Sequence, residues 1–226
     1  YRLSNPAKSV DGLTDADLSN AAFPFMRSRR MQVAGVDVVA LRVSFTGDLG
    51  WELYAAVEDQ PALYRALLDA AAGMGGGPVG SRALMSLRIE KGYGSWGREY
   101  SPEYWPQESA LDRLVKMDKP DFLNREAYAR IAARPARQRL AMIAIEAVDA
   151  DATGGEPIFL PDGTPAGQVT SGAYGYSVGQ SLALCYLLTG LTNPGDRVVV
   201  QILGRPHQAT VLARPPFDPD GLRLRA

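Results

Sequence analysis

The chain has 226 residues, 46% hydrophobic and 22% charged, proportions of an ordinary globular protein that exclude disorder, collagen and coiled coil as its main state. Its 24 Lys and Arg stand against 25 Asp and Glu, for a net charge of −1; without a global basic field, a nucleic-acid binder held mainly through phosphates is excluded. One cysteine and one histidine exclude an internal disulfide framework, a cysteine-rich zinc site and a multi-histidine metal centre.

No stretch approaches 18 consecutive apolar residues, so no membrane span is expected and a cytoplasmic location is. The opening Tyr1-Arg2-Leu3-Ser4-Asn5-Pro6 lacks both an initiator Met and a signal-like apolar run, which points to a fragment, a processed chain or an incomplete sequence. Residues 1–20 carry turn and cap residues, among them Asp15, Asp17, Ser19 and Asn20, and predict short helical or looped structure. Phe23-Pro24-Phe25-Met26 reads as a compact apolar knot. Arg27, Arg29 and Arg30 after it read as a solvated strand entrance.

Residues 31–35 and 36–45 read as two strands around a Gly35-Val36-Asp37 turn. The second is apolar on both faces and so expected to be central in its sheet. Residues 46–50 form a tight turn and 51–57 the next strand. Glu58-Asp59-Gln60-Pro61 then starts a helix that runs to about Ala72, with Pro61 suited to its first turn. Residues 73–80 hold a formal GxGxxG at Gly75, Gly77 and Gly80. The dinucleotide fingerprint needs a strand before it and a helix N-terminus after it. Here a helix precedes and Pro78 stiffens the turn, so the stretch reads as a helix terminator. Residues 81–92 predict a second helix with Leu84 and Leu87 inward, joined by Met85 and Ile89, and Gly92 closing it. A long aromatic loop over 93–106 holds Tyr93, Trp96, Tyr100, Tyr104 and Trp105, and long irregular segments in compact domains are often functional. Residues 108–116 fit more than one state, and 124–134 read as an amphipathic helix with Asn124 as candidate cap.

Ala133-Arg134-Pro135-Ala136-Arg137 marks a boundary, giving expected domains 1–135 and 136–226. Beyond it six short strands alternate with turns, at 139–147, 157–160, 167–170, 181–188, 197–203 and 208–213, which argues a small β-barrel or sandwich. Cys185 lies in an apolar run and reads as a small buried hydrophobe. His207 follows Gly204-Arg205-Pro206 and reads as a surface turn residue, with no nucleophile elbow near it. Asp149 to Gly154 begins like a calcium loop but lacks the fifth-position acid, and its twelfth position is Leu160, so it reads as an acidic turn.

Several segments together resemble one family. Residues 44–54 (SFTGDLGWELY) resemble a motif of the glycine-cleavage T-protein family of folate-binding aminomethyltransferases. Residues 83–93 (ALMSLRIEKGY) look like that family's helix after the glycine loop. Ser95-Trp96-Gly97-Arg98-Glu99, residues 116–125 (KMDKPDFLNR), 169–183 (VTSGAYGYSVGQSLA), 195–202 and 215–219 resemble its dimethylglycine and sarcosine dehydrogenase branch. The matches are collinear beyond about residue 13.

The resemblance implies an α+β fold: the latter part of an antiparallel-sheet-plus-helix folate-binding region, then a small C-terminal β-barrel. It implies tetrahydrofolate and a one-carbon donor as small-molecule partners, and transfer of a one-carbon unit onto or off the folate. In the dehydrogenase branch a flavin domain oxidises an N-methyl amine and the folate domain captures the carbon. No flavin signature is present in this sequence, so FAD is expected on a missing domain or a partner flavoprotein chain. No nucleic acid and no membrane are expected as partners.

The resemblance implies Glu52 as the residue that holds the pterin, since it and Tyr54 match the family positions that do so. A carboxylate can accept an exocyclic amine and a ring N–H together in a charge-assisted fork, whereas from its strand alone Glu52 reads as a solvent-facing residue. Tyr54, two residues on, shares its strand face, while Trp51 and Leu53 turn into packing. Phe45 stands where the branch commonly carries Tyr, and Asp48 where it has Glu. Trp96 is expected either at the folate cavity or in the core, and Arg88 in an ion pair or on the folate. Arg113 is expected to stack on a flat ring or to meet the glutamate tail. Tyr174 and Tyr176 are expected in a barrel loop, either presented to the site or in surface packing. The family's upstream catalytic acid has no counterpart before Phe23, so the chain is expected to be part of an enzyme whose catalytic residue is unknown. Rival readings are a non-catalytic folate-binding module and a folate-dependent demethylase of another methyl donor.

Overall fold

The computed structural model describes residues 10–225. The expectation for the polar N-terminus therefore falls partly on residues 1–9, outside the described residues. The chain divides into two compact units, one formed by residues 10–91 with 217–225 and the other by Gly92–Pro216.

The first unit is built on a three-stranded antiparallel sheet of β1 (Ser28–Val33), β2 (Val36–Leu41) and β3 (Glu52–Tyr54), in that order. Central β2 is the strand whose two apolar faces predict that place. The hairpin turn is Ala34-Gly35, not Gly35-Val36-Asp37. Both turn residues are left-handed, with φ 51° and 75°, the two-residue geometry that matches the twist of flanking strands. The strands are also shorter than the sequence implies: β2 ends at Leu41 rather than Phe45, and β3 spans three residues rather than 51–57. Their inner face buries Val33, Val38 and Ala40 against Val10, Leu18, Phe23 and Leu63, with Trp51, Leu53 and Leu67 partly buried at the edge. Of the expected knot only Phe23 joins this core, and Met26 is exposed.

Arg42 lies within the same unit, 1% exposed, donating from Nη1 to the Phe23 carbonyl at 2.6 Å with its guanidinium 5.9 Å from the Trp51 ring centre. Burial pushes its pKa down. Helix α1 (Gln60–Ala72) starts with proline in its first turn, as read from the sequence, and buries Leu63. Helix α2 (Ser81–Glu90) buries Ile89 as expected but otherwise departs from its expected face. Leu84 is exposed, and the buried side chains are Ser86, Arg88, Ile89 and Glu90 at the C-terminal end. Hydrophobic spacing misled here because charged residues take the interior positions. Left-handed Gly92, with φ 69°, follows the helix.

The second unit opens with the irregular segment that holds the aromatic loop, continues through helix α3 (Arg125–Ala132), and ends in the barrel. Asn124 is no side-chain cap: it sits in the left-handed region at φ 67° and makes no capping hydrogen bond. Strands β4 (Gln138–Ile145), β5 (Pro157–Phe159), β6 (Pro165–Gly175), β7 (Gln180–Leu188), β8 (Arg197–Ile202) and β9 (Arg205–Val211) close in the order β4-β7-β6-β5-β8-β9. All six expected strands are present, and all pairs are antiparallel. Closure leaves no sheet edge unpaired.

The sequence underestimates β6, which runs well past Thr170 because its bulge near Thr170 breaks the alternation of side chains. His207 is in β9, paired with Val200, rather than in a turn; the turn is Leu203-Gly204. The interior packs Ile143, Ile145, Val169, Ala183, Cys185, Leu187, Val198, Val200 and Ala209. Cys185 is fully buried, as expected, and desolvation pushes its thiol pKa far up. Gly167 permits the β6–β7 approach: a Cβ there would lie 2.0 Å from the Tyr186 carbonyl oxygen.

Candidate functional site

The antiparallel register of the first unit lines up two rows across the outer face of its sheet. Ser28, Leu41 and Glu52 form one row; Arg30, Val39 and Tyr54 form the next. Alternation along the strands puts these residues opposite the buried Val38, Ala40 and Leu53. Val39 and Leu41 are half-buried, and Arg30, Glu52 and Tyr54 are exposed. The face therefore joins an apolar floor to a carboxylate at one side and a guanidinium at the other.

Tyr54 donates its hydroxyl hydrogen to Oε2 of Glu52 at 2.8 Å. That hydrogen bond, reinforced by the carboxylate charge, raises the Tyr54 pKa above its ordinary value. Oε1 of Glu52 accepts no hydrogen bond among the described residues. A bidentate acceptor with one oxygen engaged by a rotatable hydroxyl suits a ligand edge that presents two adjacent N–H donors.

The loop before β3 brings Phe45, half-buried, near this strand in sequence. Its conformation is fixed at several points. Ser44 Oγ accepts from the Gly47 N–H at 2.9 Å. Gly47, at φ 85°, rests against the Lys91 side chain, where a Cβ would come within 2.6 Å of Cδ. Asp48 Oδ1 accepts from Arg223 Nε at 2.9 Å. Arg88, also in the first unit, is fully buried near the end of α2.

Trp96 and Arg113 belong to the second unit. Trp96 is 81% exposed rather than packed in a core. Arg113 is exposed in a single 3-10 turn (Asp112–Leu114) and donates from Nη1 to the Ala110 carbonyl. Tyr174 and Tyr176 meet edge to face, with ring centres 5.0 Å apart, and Tyr176 is exposed.

Two buried carboxylates organise the loop over 93–108, and neither stands out in the sequence. Glu99 is fully buried; its Oε1 accepts from Thr170 Oγ1 at 2.5 Å and from Ser171 Oγ, and its Oε2 from the Ser95 N–H at 2.8 Å. Tyr186 donates its hydroxyl to the Glu99 carbonyl at 2.7 Å, and Tyr104 stacks on the Tyr186 ring with centres 3.8 Å apart. Burial raises the Tyr186 pKa strongly. Glu108 is equally buried and takes a fork from Arg137, Nε to Oε1 at 2.9 Å and Nη2 to Oε2 at 3.0 Å, plus the Trp105 N–H at 2.9 Å. Burial pushes this carboxyl up, but the Arg137 fork and backbone N–H outweigh it and hold the pKa low. No signal in the sequence separates them from exposed Glu103 in the same aromatic segment; once buried, each ion has to be paired.

Among the described residues no group of three or more His, Cys, Asp and Glu is placed to hold a metal, and no helix is long and apolar enough to cross a membrane.

Residues 6–119 match the GCVT N-terminal domain, and residues 138–218 match the glycine cleavage T-protein C-terminal barrel domain. The chain is 37% identical over 209 residues to mitochondrial dimethylglycine dehydrogenase of Homo sapiens, covering 92% of this chain and 24% of that protein. It is 34% identical over 203 residues to the aminomethyltransferase of Moorella thermoacetica, covering 90% of this chain and 54% of that one. The crystal structure of glycine cleavage system aminomethyltransferase T from Bartonella henselae superposes with a TM-score of 0.81 at 24% identity, over 95% of this chain and 57% of that chain, a likeness of fold. The chain thus spans about a quarter of the length of the dehydrogenase relative and just over half that of the aminomethyltransferases. With one family model spanning half of its residues and the companion model covering its barrel, the chain belongs to the glycine cleavage T-protein family.

Proposed function

We propose that the chain is the latter part of a folate-binding aminomethyltransferase-type region that serves one-carbon transfer on tetrahydrofolate. The observation that carries the reading is the exposed Glu52 carboxylate on β3, with Tyr54 on one oxygen and the other available. Bound there, tetrahydrofolate supplies the amine nitrogens that take up or release the carbon unit. Glu52 fixes the pterin edge by accepting from its exocyclic amine and ring N–H, and Tyr54 holds the carboxylate in the orientation that does so. Val39 and Leu41 offer apolar surface beside it. Phe45, in the loop leading to β3, offers an aromatic ring. Arg88, in the same unit, remains a further candidate for a folate contact.

The dehydrogenase relatives favour a donor of the N-methyl amine kind, dimethylglycine or sarcosine. In such a protein an FAD-bearing domain or subunit outside this chain would perform the oxidation, and this region would capture the carbon. A second reading, a folate-binding module without catalysis, is favoured by Phe45: the ring is kept, but the hydroxyl common in that branch is missing.

Titration calorimetry of the full polypeptide with tetrahydrofolate tests the proposal. Saturable binding at one site supports it, and turnover assays with dimethylglycine and sarcosine then separate the two readings. Absence of binding by the full polypeptide overturns both.

A further inference from the structure

We infer that residues 217–225 clamp the loop that carries Phe45 and leads into Glu52, with Arg223 and Asp218 as positioning residues; this rests on the reading of Glu52 as a folate contact. The chain leaves the first unit after Lys91 and rejoins it at Phe217. The return is anchored by three contacts: Phe217 N–H to the Glu90 carbonyl at 3.2 Å, buried Leu224, and Asn20 Nδ2 to the Arg225 carbonyl at 2.7 Å.

Asp218 organises the segment. It sits at φ 42° and accepts the backbone N–H of Leu222 at 3.0 Å and of Arg223 at 3.2 Å. Lys91, 5% exposed, donates to its carboxylate at 3.1 Å and also to its carbonyl. This turn delivers Arg223 to Asp48, Nε to Oδ1 at 2.9 Å, with the guanidinium 5.4 Å from the Phe217 ring centre. The loop is thus gripped at adjacent residues, Gly47 by the Lys91 stem and Asp48 by Arg223. Both grips depend on the same Asp218 turn. Asp48 is four residues before Glu52 and three after Phe45, so a loop held here presents ring and carboxylate with little ordering left to do at binding.

Hydrogen–deuterium exchange over residues 44–50 of the full polypeptide reads the clamp without ligand, and tetrahydrofolate calorimetry reads its effect on the site. Arg223→Ala should speed exchange over 44–50 while the strands β4–β9 keep wild-type protection, and should weaken tetrahydrofolate about 3- to 10-fold. Arg223→Lys, which keeps a cation for Asp48, should recover part of both. Asp218→Asn should match or exceed the alanine variant. Unchanged exchange over 44–50 overturns the clamp, as does faster exchange throughout the chain. Faster local exchange with unchanged affinity overturns the positioning role. Absence of tetrahydrofolate binding by wild type overturns the ligand reading and the positioning role with it, and the clamp is then decided by exchange alone.

Discussion

Tyr54 and Glu52 are joined by a 2.8 Å hydrogen bond across the exposed face of β3, phenol donating to carboxylate. An exposed strand would otherwise leave a glutamate to rotate freely in water. The bond gives the carboxylate a preferred direction before any ligand arrives, which lowers the entropy lost on binding.

Tyr54→Phe removes the donor and keeps the ring. The fold should be unaffected, because the hydroxyl is at the surface, and tetrahydrofolate affinity should drop about 2- to 10-fold, the worth of one hydrogen bond. Calorimetry on the variant, with circular dichroism as the fold control, checks this. An unchanged affinity would show that the carboxylate needs no orienting partner.

In the second unit, Glu99 accepts from Thr170 and Ser171 at one oxygen and from the Ser95 N–H at the other. Glu99→Gln must point its amide NH2 either at the Ser95 N–H, a fixed donor, or at Thr170 and Ser171, whose hydroxyls would have to turn from donating to accepting. The variant should lose about 1–3 kcal/mol of stability, read as an earlier midpoint in chemical denaturation. A midpoint equal to wild type would mean that the network reorganises at no cost.

Acid should loosen the protein at Glu108 and Asp218. Burial raises both carboxyl pKa values, but Arg137 with the Trp105 N–H outweighs it in one, and Lys91 with two backbone N–H groups in the other, so both lie below ordinary values. The folded chain therefore binds fewer protons here than the unfolded chain. The stabilisation is complete above the unfolded carboxylate pKa of about 4 and is lost as pH falls through the lower folded values. Thermal melting should shift down between pH 5 and pH 3, and Glu108→Gln should flatten that shift. An equally steep acid response in the variant would remove Glu108 as a cause.

The barrel was legible because glycine, proline and aspartate turns punctuate strand-like runs at short intervals after residue 135, although 11-residue β6 and largely polar β9 were only partly visible as such. Central β2 was legible from its double apolar face. The buried end of α2 was not: Ser86, Arg88 and Glu90 are interior, and helical periodicity assigns interior positions to Leu84 instead. A buried charge needs a partner, and spacing along the helix does not encode one. For Glu99 the Ser95 N–H is local, but Thr170 and Ser171 lie 71 and 72 residues away. At the candidate site, the placement of Glu52 and Tyr54 on one face followed from strand alternation. The grip of Arg223 on Asp48 spans 175 residues and had no such signal.

The most direct test of the account compares wild type with Glu52→Gln in tetrahydrofolate calorimetry on the full polypeptide. Glutamine keeps the shape, loses the charge and turns one acceptor into a donor facing the pterin N–H groups. The account predicts an affinity loss of about 30- to 1000-fold with the fold intact. Wild-type affinity in a correctly folded Glu52→Gln protein would contradict it and remove Glu52 from the site.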